Sequence, residues 1–391
     1  MENKRLAPGI VAIQFLVLIS YSSVAILTLL SLYFEHLGGS PRQIGFLMGL
    51  FSLAGFLSRP FGGWLLARID PRKVVGTSLV LLVLITALYL FIRKLDWYTA
   101  FVRAIHGFTF SVFILAALLI AVLLSSEKER AYAIGVVSTG FMLPLLFAPF
   151  IGEVVIKKFG YFPFFLTAIL FAAIPLAYYF FTRIEIPRFL EESKARSTGY
   201  LRLLLQRRIY SIFFLSFIFE VGLNSSLAFV PLLTEGKSSM RAGFFYTFLG
   251  LTAVLMRVYG GSRFKFWGSP RLLLPAFYFL AGGGILTSLA SNDFLLAFSA
   301  VIWGIGTGIL YPHLTALVVE GVPSRDRGKV LGLFASSVDL GLALGPLFFG
   351  ALSNSLGFRN TFLLFALFIF LSSTGLVLIG KPALFKVKAK S

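Results

Sequence analysis

Residues 40–73 read SPRQIGFLMGLFSLAGFLSRPFGGWLLARIDPRK, and residues 238–271 read SSMRAGFFYTFLGLTAVLMRVYGGSRFKFWGSPR. At a shift of 198 positions, matching residues include Ser40 and Ser238, Gly45 and Gly243, Arg59 and Arg257, Gly62 and Gly260, and Gly63 and Gly261. Each stretch is an apolar helix followed by a Gly-Gly pair and a cluster of Arg and Lys, a pattern typical of a membrane span that emerges into the cytoplasm. The repetition predicts a duplicated chain.

The composition of the 391 residues indicates an integral membrane protein. Hydrophobic residues make up 58% of the chain and charged residues 13%, whereas soluble domains are about a quarter charged. The net charge of +19 comes from short Lys and Arg clusters between apolar runs, so the positive-inside rule explains it better than nucleic-acid binding. Without cysteines, and with three scattered histidines, we expect no disulfide, metal site or cofactor.

Twelve apolar runs are long enough to span a bilayer, which needs about 20 residues. The predicted spans are 10–33, 43–66, 74–92, 97–124, 132–156, 161–182, 209–233, 241–264, 271–291, 294–320, 329–354 and 359–380. With a cytoplasmic N-terminus, 26 Lys and Arg lie inside and eight outside, so both termini are predicted to be cytoplasmic. The first run is longer than a signal-peptide core, and we expect it to be retained.

The one long polar connection divides the chain into two halves. We predict an N-terminal six-helix half at 1–182, a cytoplasmic linker at 183–208 and a C-terminal six-helix half at 209–391. A second repeat supports the division, because Glu129-Arg130 recurs as Asp326-Arg327 at a shift of 197 positions. Parallel repeats of this kind predict a substrate site at their interface, near the bilayer midplane.

The loop after the second span begins at Gly63 and reads GWLLARIDPRK. It resembles the G-x-L-A-D-R-x-G-R-R loop of the major facilitator superfamily, with Ala67 in place of the aspartate. The resemblance covers nearly the whole chain and implies a twelve-helix, all-α membrane fold of two pseudo-symmetric halves. It also implies that Gly63, Arg68 and Arg72 belong to a cytoplasmic gate. Asp70 is the carboxylate available to substitute for the missing one.

Two further motifs carry the same resemblance. The family's R-x-x-x-G pattern appears in the fourth span as Arg103 and Gly107. The G-x8-G-x3-G-P pattern of antiport-type exporters is degenerate in the fifth span, where Gly135 and Pro149 match. The eleventh span carries it in full as Gly332, Gly341, Gly345 and Pro346. Glycines allow close helix approach and proline loosens a helix, so the pattern suits either a bending seam or simple close packing.

Arg103, Glu220 and Asp339 are the formal charges predicted to lie well inside the membrane. Because a charge there costs at least ~2.5–3.5 kcal/mol, each should face a cavity or a partner. Glu220 shares a helix face with Ser216 and Asn224, which suggests a cavity lining, although a carboxyl held for packing fits too. Glu220 and Asp339 are candidates for proton coupling or cation binding, with a structural ion pair as the alternative for Asp339.

Other polar residues are predicted to line the cavity or the gate. Gln14 and Tyr21 lie on a stripe with a seven-residue spacing in the first span, and Tyr311 lies on an aromatic face of the tenth. His106 falls near Arg103 and serves either titration or packing. The last predicted group is the gate or anchoring set formed by Arg59, Arg257 and Gly261.

The preferred interpretation is a secondary transporter that exports a small amphipathic or hydrophobic molecule in exchange for protons. Uptake by proton symport and a non-transporting receptor are the alternatives. No phosphate-binding G-x-x-x-x-G-K-[S/T] motif is present and no catalytic constellation is readable, so we expect neither ATP drive nor enzyme activity. The expected partners are a small-molecule substrate, protons or another cation, and the lipid bilayer. We expect a multi-pass monomer in the plasma membrane.

Overall fold

The structure is a computed structural model that describes residues 8–125, 130–182, 199–237, 239–263 and 270–384. These described ranges consist of helices joined by short connections, with no strand. The apolar helices are α1 (Pro8–His36), α2 (Pro41–Leu66), α3 (Pro71–Phe91), α4 (Trp97–Leu123), α5 (Ala133–Phe159), α6 (Tyr161–Phe181), α7 (Arg207–Thr234), α8 (Ala242–Arg263), α9 (Leu273–Leu289), α10 (Asp293–Val319), α11 (324–356) and α12 (358–384). They confirm the predicted all-α membrane fold.

Each predicted span coincides with one of these helices. Nine helical stretches in the described part are long and apolar enough to cross a membrane, and one of them, Lys329–Gly380, contains most of α11 and most of α12. Helices α8 and α9 have shorter apolar stretches, Ala242–Val258 and Leu273–Leu289. The count of twelve spans therefore stays a prediction. Of the predicted linker, 183–198 lie outside the described residues, as do Glu129 and Ser238 of the repeats.

The duplication is visible in the backbone of the turns. Gly38 and Gly236 have φ of 81° and 70°, and they are 198 positions apart. Gly160 and Gly357 have φ of 83° and 74°, and they are 197 positions apart. These left-handed conformations favour glycine because a Cβ atom is strained there. The same tight turns thus begin and end corresponding helices in both halves of the chain.

The chain forms two compact units, which divide within helix α2. Unit 1 comprises Met1–Gly39 and Leu50–Glu192, and unit 2 comprises Ser40–Gly49 and Ser193–Ser391. The first turns of α2 belong to unit 2 because glycines allow them to pack on α11. A Cβ atom added to Gly45 would lie 2.2 Å from the carbonyl oxygen of Pro346. In a bilayer the hydrophobic effect does not drive helices together, and close packing at small residues stabilises their association instead.

Helix α5 is interrupted in its first half. A 3-10 turn at Thr139–Phe141 separates Arg130–Ser138 from Leu143–Phe159. Pro144 has no backbone N–H, so the carbonyl four residues earlier, at Gly140, has no α-helical donor and the local geometry tightens. Pro144, which stands where the exporter pattern has its second glycine, therefore breaks the helix at this point.

Candidate functional site

In unit 2, two carboxylates and one guanidinium interact within the helix bundle. The Glu220 side chain on α7 is 5% exposed, and it interacts electrostatically with Asp339 of α11 and Arg257 of α8. The Arg257 guanidinium lies over the Tyr311 ring of α10, 5.3 Å from its centroid. Four helices therefore bring together groups that are up to 119 positions apart in the sequence.

Glycines bring α7 and α11 close enough for the carboxylates to interact. A Cβ atom on Gly341 would lie 2.7 Å from the Cβ atom of Glu220 and 2.7 Å from the carbonyl oxygen of Phe217. A Cβ atom on Gly345 would lie 2.6 Å from the carbonyl oxygen of Val221. The backbones of the two helices are thus in contact along this seam, which is one of the two roles predicted for the motif.

Gly308 on α10 has the corresponding role for Arg257 and Tyr311. An added Cβ atom would lie 2.6 Å from the Cβ atom of Met256 and 2.9 Å from the carbonyl oxygen of Ala253, both on α8. Met256 precedes Arg257, and Tyr311 follows Gly308 by three residues. The close crossing of α8 and α10 therefore places the guanidinium against the aromatic ring.

The Arg257 guanidinium has hydrogen-bonding capacity that its surroundings leave unused. Its Nε and Nη2 atoms are buried and have no hydrogen-bond partner among the described residues. The sequence predicted a gating or anchoring residue because Arg257 lies near the predicted cytoplasmic end of its span. In the structure Arg257 also interacts with Glu220 and lies over the Tyr311 ring. Sequence spacing did not indicate these contacts, because they depend on the crossing of α8 and α10. The gating role stays a prediction, as it does for Arg59.

The predicted polar stripe on α7 is only partly available to a ligand. Ser216 donates to the carbonyl of Ile212 in its own helix at 2.8 Å. Asn224 donates its side-chain Nδ2 to the carbonyl of Leu342 on α11. Both of these side chains donate to backbone carbonyls of helices. Glu220 is therefore the member of the stripe that belongs to the charged cluster, which consists of Glu220, Asp339 and Arg257.

Unit 1 contains a second buried polar cluster around Arg103. Its Nη1 donates to the Tyr89 hydroxyl at 3.4 Å, and the same hydroxyl lies 3.1 Å from Nδ1 of His106. The guanidinium also lies 5.0 Å from the centroid of the Phe51 ring. Gly107 permits this arrangement, because a Cβ atom there would lie 1.8 Å from the carbonyl oxygen of Phe51.

The sequence analysis predicted Arg103 and His106 but missed Tyr89. Tyr89 is fully buried at the end of α3, on a different predicted span from its two partners. A tyrosine inside an apolar run is a weak signal because its ring suits packing and the membrane interface equally. Its contact with both residues explains how a buried arginine and a buried histidine are accommodated together.

The remaining residues predicted for the cavity in unit 1 have local partners. Gln14 donates its Nε2 to the hydroxyl of Thr139 at 3.0 Å, at the break in α5. The Tyr21 ring packs against Phe141, with 5.4 Å between centroids, and against Phe110 at 5.8 Å. Gln14 and Tyr21 therefore connect α1 with the interrupted segment of α5.

In the loop motif, Asp70 caps helix α3. Its carboxylate accepts from the backbone N–H of Arg72 at 2.9 Å and forms an ion pair with the Arg72 guanidinium at 2.6 Å. The hydrogen bond from the Arg72 side chain lowers the pKa of this carboxyl below its ordinary value. Arg68 lies over the Trp64 ring, 4.5 Å from its centroid. The substitute carboxylate is thus engaged locally within unit 1.

The glycines and prolines of the predicted gate and bending motifs differ in their packing. Cβ atoms added to Gly63, Gly135 or Gly332 would meet nothing within 4 Å. Pro149 is buried inside α5, and Gly261 lies within α8, although its surroundings fall outside the described side chains. Gly62, the matched repeat position just before the loop motif, packs against Leu115, whereas its neighbour Gly63 does not pack closely. Close approach therefore explains only some of the motif positions.

The described residues include no group of three or more His, Cys, Asp or Glu side chains that could hold a metal ion.

The whole chain matches a known family of transporters. The sequence profile described as Major Facilitator Superfamily matches residues 10–293 and 265–388. The chain belongs to the Major Facilitator Superfamily. This confirms the family resemblance carried by the loop and glycine motifs, and it makes the protein a multi-pass membrane transporter whose substrates are small molecules.

Curated relatives and solved structures of the superfamily align over most of the chain. The Staphylopine export protein of Staphylococcus aureus is 24% identical, over 90% of this chain and 91% of that protein. The Multidrug resistance protein MdtG of Salmonella choleraesuis is 26% identical, over 86% of each. A solved POT family transporter, in complex with a thioalcohol-conjugated peptide, superimposes with a TM-score of 0.79 at 14% identity, covering 97% of this chain and 96% of that one. This last similarity shows the fold.

Proposed function

We propose that this transporter exports a small amphipathic molecule in exchange for protons, by alternating access. The observation that carries the proposal is the electrostatic interaction of the buried Glu220 with Asp339 and Arg257 in unit 2. A carboxyl removed from water favours its neutral form, and it releases the proton when water or a cation arrives. Glu220 is therefore the proposed proton carrier, and Asp339 and Arg257 set the charge around it.

The names of the relatives favour export over import. One relative is an export protein and another a multidrug resistance protein. We extend export to this chain on that basis, and we keep proton-coupled uptake as the second candidate because the same residues serve either direction. Arg103, held by Tyr89 and Phe51, is proposed as a further group in proton handling.

The cellular setting follows from the same proposal. We place the protein in the plasma membrane, as a monomer without enzymatic activity. The Lys and Arg asymmetry of the connections supports cytoplasmic termini. The proposed moving bodies are the six-helix halves 1–182 and 209–391, and Ser40–Gly49 of the first half packs with the second half in this structure.

The experiment uses purified protein reconstituted into liposomes that contain the pH dye pyranine. Amphipathic amines, carboxylates and amphoteric compounds are added outside, and internal pH is followed. Antiport makes the interior alkaline as each substrate enters, whereas symport makes it acidic. Glu220→Gln should abolish the proton signal yet retain counterflow of the unlabelled against the labelled compound.

Glu153→Gln is the matched control, because Glu153 is an equally buried carboxyl that pairs with Lys157 in its own helix, 2.6 Å away. It should keep the proton signal. Internal acidification would replace export by symport. Saturable binding with no counterflow would instead favour the receptor, and an unchanged signal in Glu220→Gln would remove Glu220 from the mechanism.

A further inference from the structure

The charged cluster contains an unused pair of donors with a defined geometry. Nε and Nη2 lie on one edge of the guanidinium, and at Arg257 both are buried without a hydrogen-bond partner in the described part of the chain. Arg72 uses the same two atoms to hold the Asp70 carboxylate, at 3.1 and 2.6 Å. Buried donors that lack a partner are destabilising, and this fork matches the two oxygens of a carboxylate.

A second buried polar group without a hydrogen-bond partner among the described residues lies one helical turn before Tyr311. The Thr307 hydroxyl on α10 is fully buried and has no hydrogen-bond partner among the residues described. Thr307 precedes Tyr311 by four residues, so both lie on the same face of α10. The Arg257 fork thus lies over the Tyr311 ring, and the Thr307 hydroxyl lies one turn away on the same face of α10, an arrangement that suits a ligand with an anionic group next to an apolar one.

The other side of the cluster has the opposite charge. Glu220 interacts electrostatically with both Arg257 and Asp339, so two carboxylates and one guanidinium share the region. A purely anionic ligand would be repelled by the carboxylates, and a purely cationic one would leave the Arg257 fork unsatisfied. The charge distribution is complementary to a molecule that carries both an ammonium and a carboxylate group.

We propose that the substrate is an amphoteric small molecule whose carboxylate binds the Arg257 fork, whose ammonium group binds at Glu220 and Asp339, and whose apolar part packs on Tyr311. This inference rests on the proposed function, since it names the substrate class of the same site. It also gives exchange a physical basis. An ammonium group and a proton cannot both neutralise Glu220, so arrival of the substrate expels the proton.

The test measures head-group selectivity with hydrophobic dipeptides such as Phe-Phe and Leu-Trp. Each dipeptide is used with free termini, with an acetylated N-terminus, with an amidated C-terminus and with both ends capped. Dissociation constants are measured by thermophoresis on the full-length protein in detergent. The free form should bind at least about tenfold more tightly than either singly capped form, because each cap removes one charge-assisted contact.

Two variants should remove the two selectivities separately. Arg257→Gln should bind free and amidated C-termini equally while still preferring a free N-terminus. Glu220→Gln should bind free and acetylated N-termini equally while still preferring a free C-terminus. Arg241→Gln is the control, because Arg241 lies just before α8 and pairs with Asp293 at the start of α10, outside the cluster. This variant should keep both preferences. If Arg257→Gln does not fold, Arg257→Lys, which keeps the charge but not the fork, should lose most of the carboxylate preference.

Capped and free dipeptides that bind alike to the wild type, or a panel that shows no end preference, would overturn the inference, as would an Arg257 variant that keeps the carboxylate preference. Its failure is distinguishable from failure of the proposed function. Proton exchange driven equally by capped and free compounds would leave proton-coupled export standing and remove the amphoteric substrate. Selective binding of the free dipeptides without proton movement would support the amphoteric substrate and remove proton-coupled export.

Discussion

The side-chain amide of Asn224 donates to the backbone carbonyl of Leu342, four residues before Pro346. In an uninterrupted helix this carbonyl would accept from the N–H of residue 346, which proline lacks. Asn224 on α7 therefore supplies the donor that α11 is missing. Tyr246 has the same role, because its hydroxyl donates to the carbonyl of Leu227, four residues before Pro231. In lipid, where water cannot fill such a gap, neighbouring helices must do so.

Replacing Asn224 with Ala should lower the free energy of unfolding by about 1 kcal/mol, the size of interhelical hydrogen bonds in membranes. The loss should be much smaller in a Pro346→Ala background, where residue 346 can donate to Leu342 itself. Thermal unfolding in detergent of both single variants and the double variant gives the coupling energy.

Tyr246→Phe with Pro231→Ala provides a matched cycle at the other site. A positive coupling in both cycles is expected. Additive effects of Asn224→Ala and Pro346→Ala would mean that the amide does not serve the proline-freed carbonyl.

Gly341 and Gly332 belong to the same glycine motif but should respond oppositely to substitution. Gly341→Ala forces a Cβ atom to within 2.7 Å of the Phe217 carbonyl oxygen, so we expect a loss of about 1–3 kcal/mol. Gly332→Ala meets nothing within 4 Å and should be neutral or stabilising by up to about 1 kcal/mol, because alanine is the better helix former. Unfolding temperatures of the two variants check this. Equal destabilisation would point to bending at both positions rather than packing at one.

Asp70 should stabilise the N-terminus of α3 in a pH-dependent way. Asp70→Ala removes the cap and should cost about 0.5–2 kcal/mol, whereas Asp70→Asn keeps a capping oxygen and loses only the ion pair with Arg72. Because the folded-state pKa of Asp70 is lowered, the ion pair contributes fully above about pH 4 and is lost as pH falls through that lowered pKa. The stability difference between wild type and Asp70→Asn should therefore shrink on acidification. A difference that grows instead would exclude this contact as its source.

Tyr89→Phe should destabilise unit 1 by about 1–3 kcal/mol. The change removes the hydroxyl that contacts both Arg103 and Nδ1 of His106, in a fully buried position. Tyr98→Phe is the control, since that hydroxyl donates to the carbonyl of Leu88 at a partly buried site. Thermal unfolding in detergent should separate the two. A Tyr98→Phe loss as large as that of Tyr89→Phe would contradict the special role of the buried cluster.

The helices were predictable from the sequence because a membrane demands long apolar runs, and the spans predicted to begin at residues 97 and 161 begin there in the structure. The carboxylates within the helix bundle were also recognisable, since a charge in an apolar run has few harmless explanations. Glu220 is indeed buried, and it interacts with Asp339 across two helices.

The partners of these residues were not predictable, because they depend on which helix faces cross. Arg257 lies where an interfacial anchor would, and only the α8–α10 crossing at Gly308 places it on Tyr311. Asn224 was predicted to line a cavity, yet the carbonyl it satisfies belongs to another helix. Sequence periodicity gives the face of one helix but not the rotation of its neighbour.

The assignment of Ser40–Gly49 to unit 2 means that the C-terminal half is incomplete as a separate polypeptide. In a fragment that begins after the linker, the carbonyl oxygens of Ala343 and Pro346 and the Cα atom of Gly350 would be exposed. Gly45 and Gly49 pack against these atoms in the full chain. Any attempt to express that half by itself should therefore carry a grafted copy of this ten-residue segment, and a synthetic peptide of the same sequence is the smallest piece able to complement it.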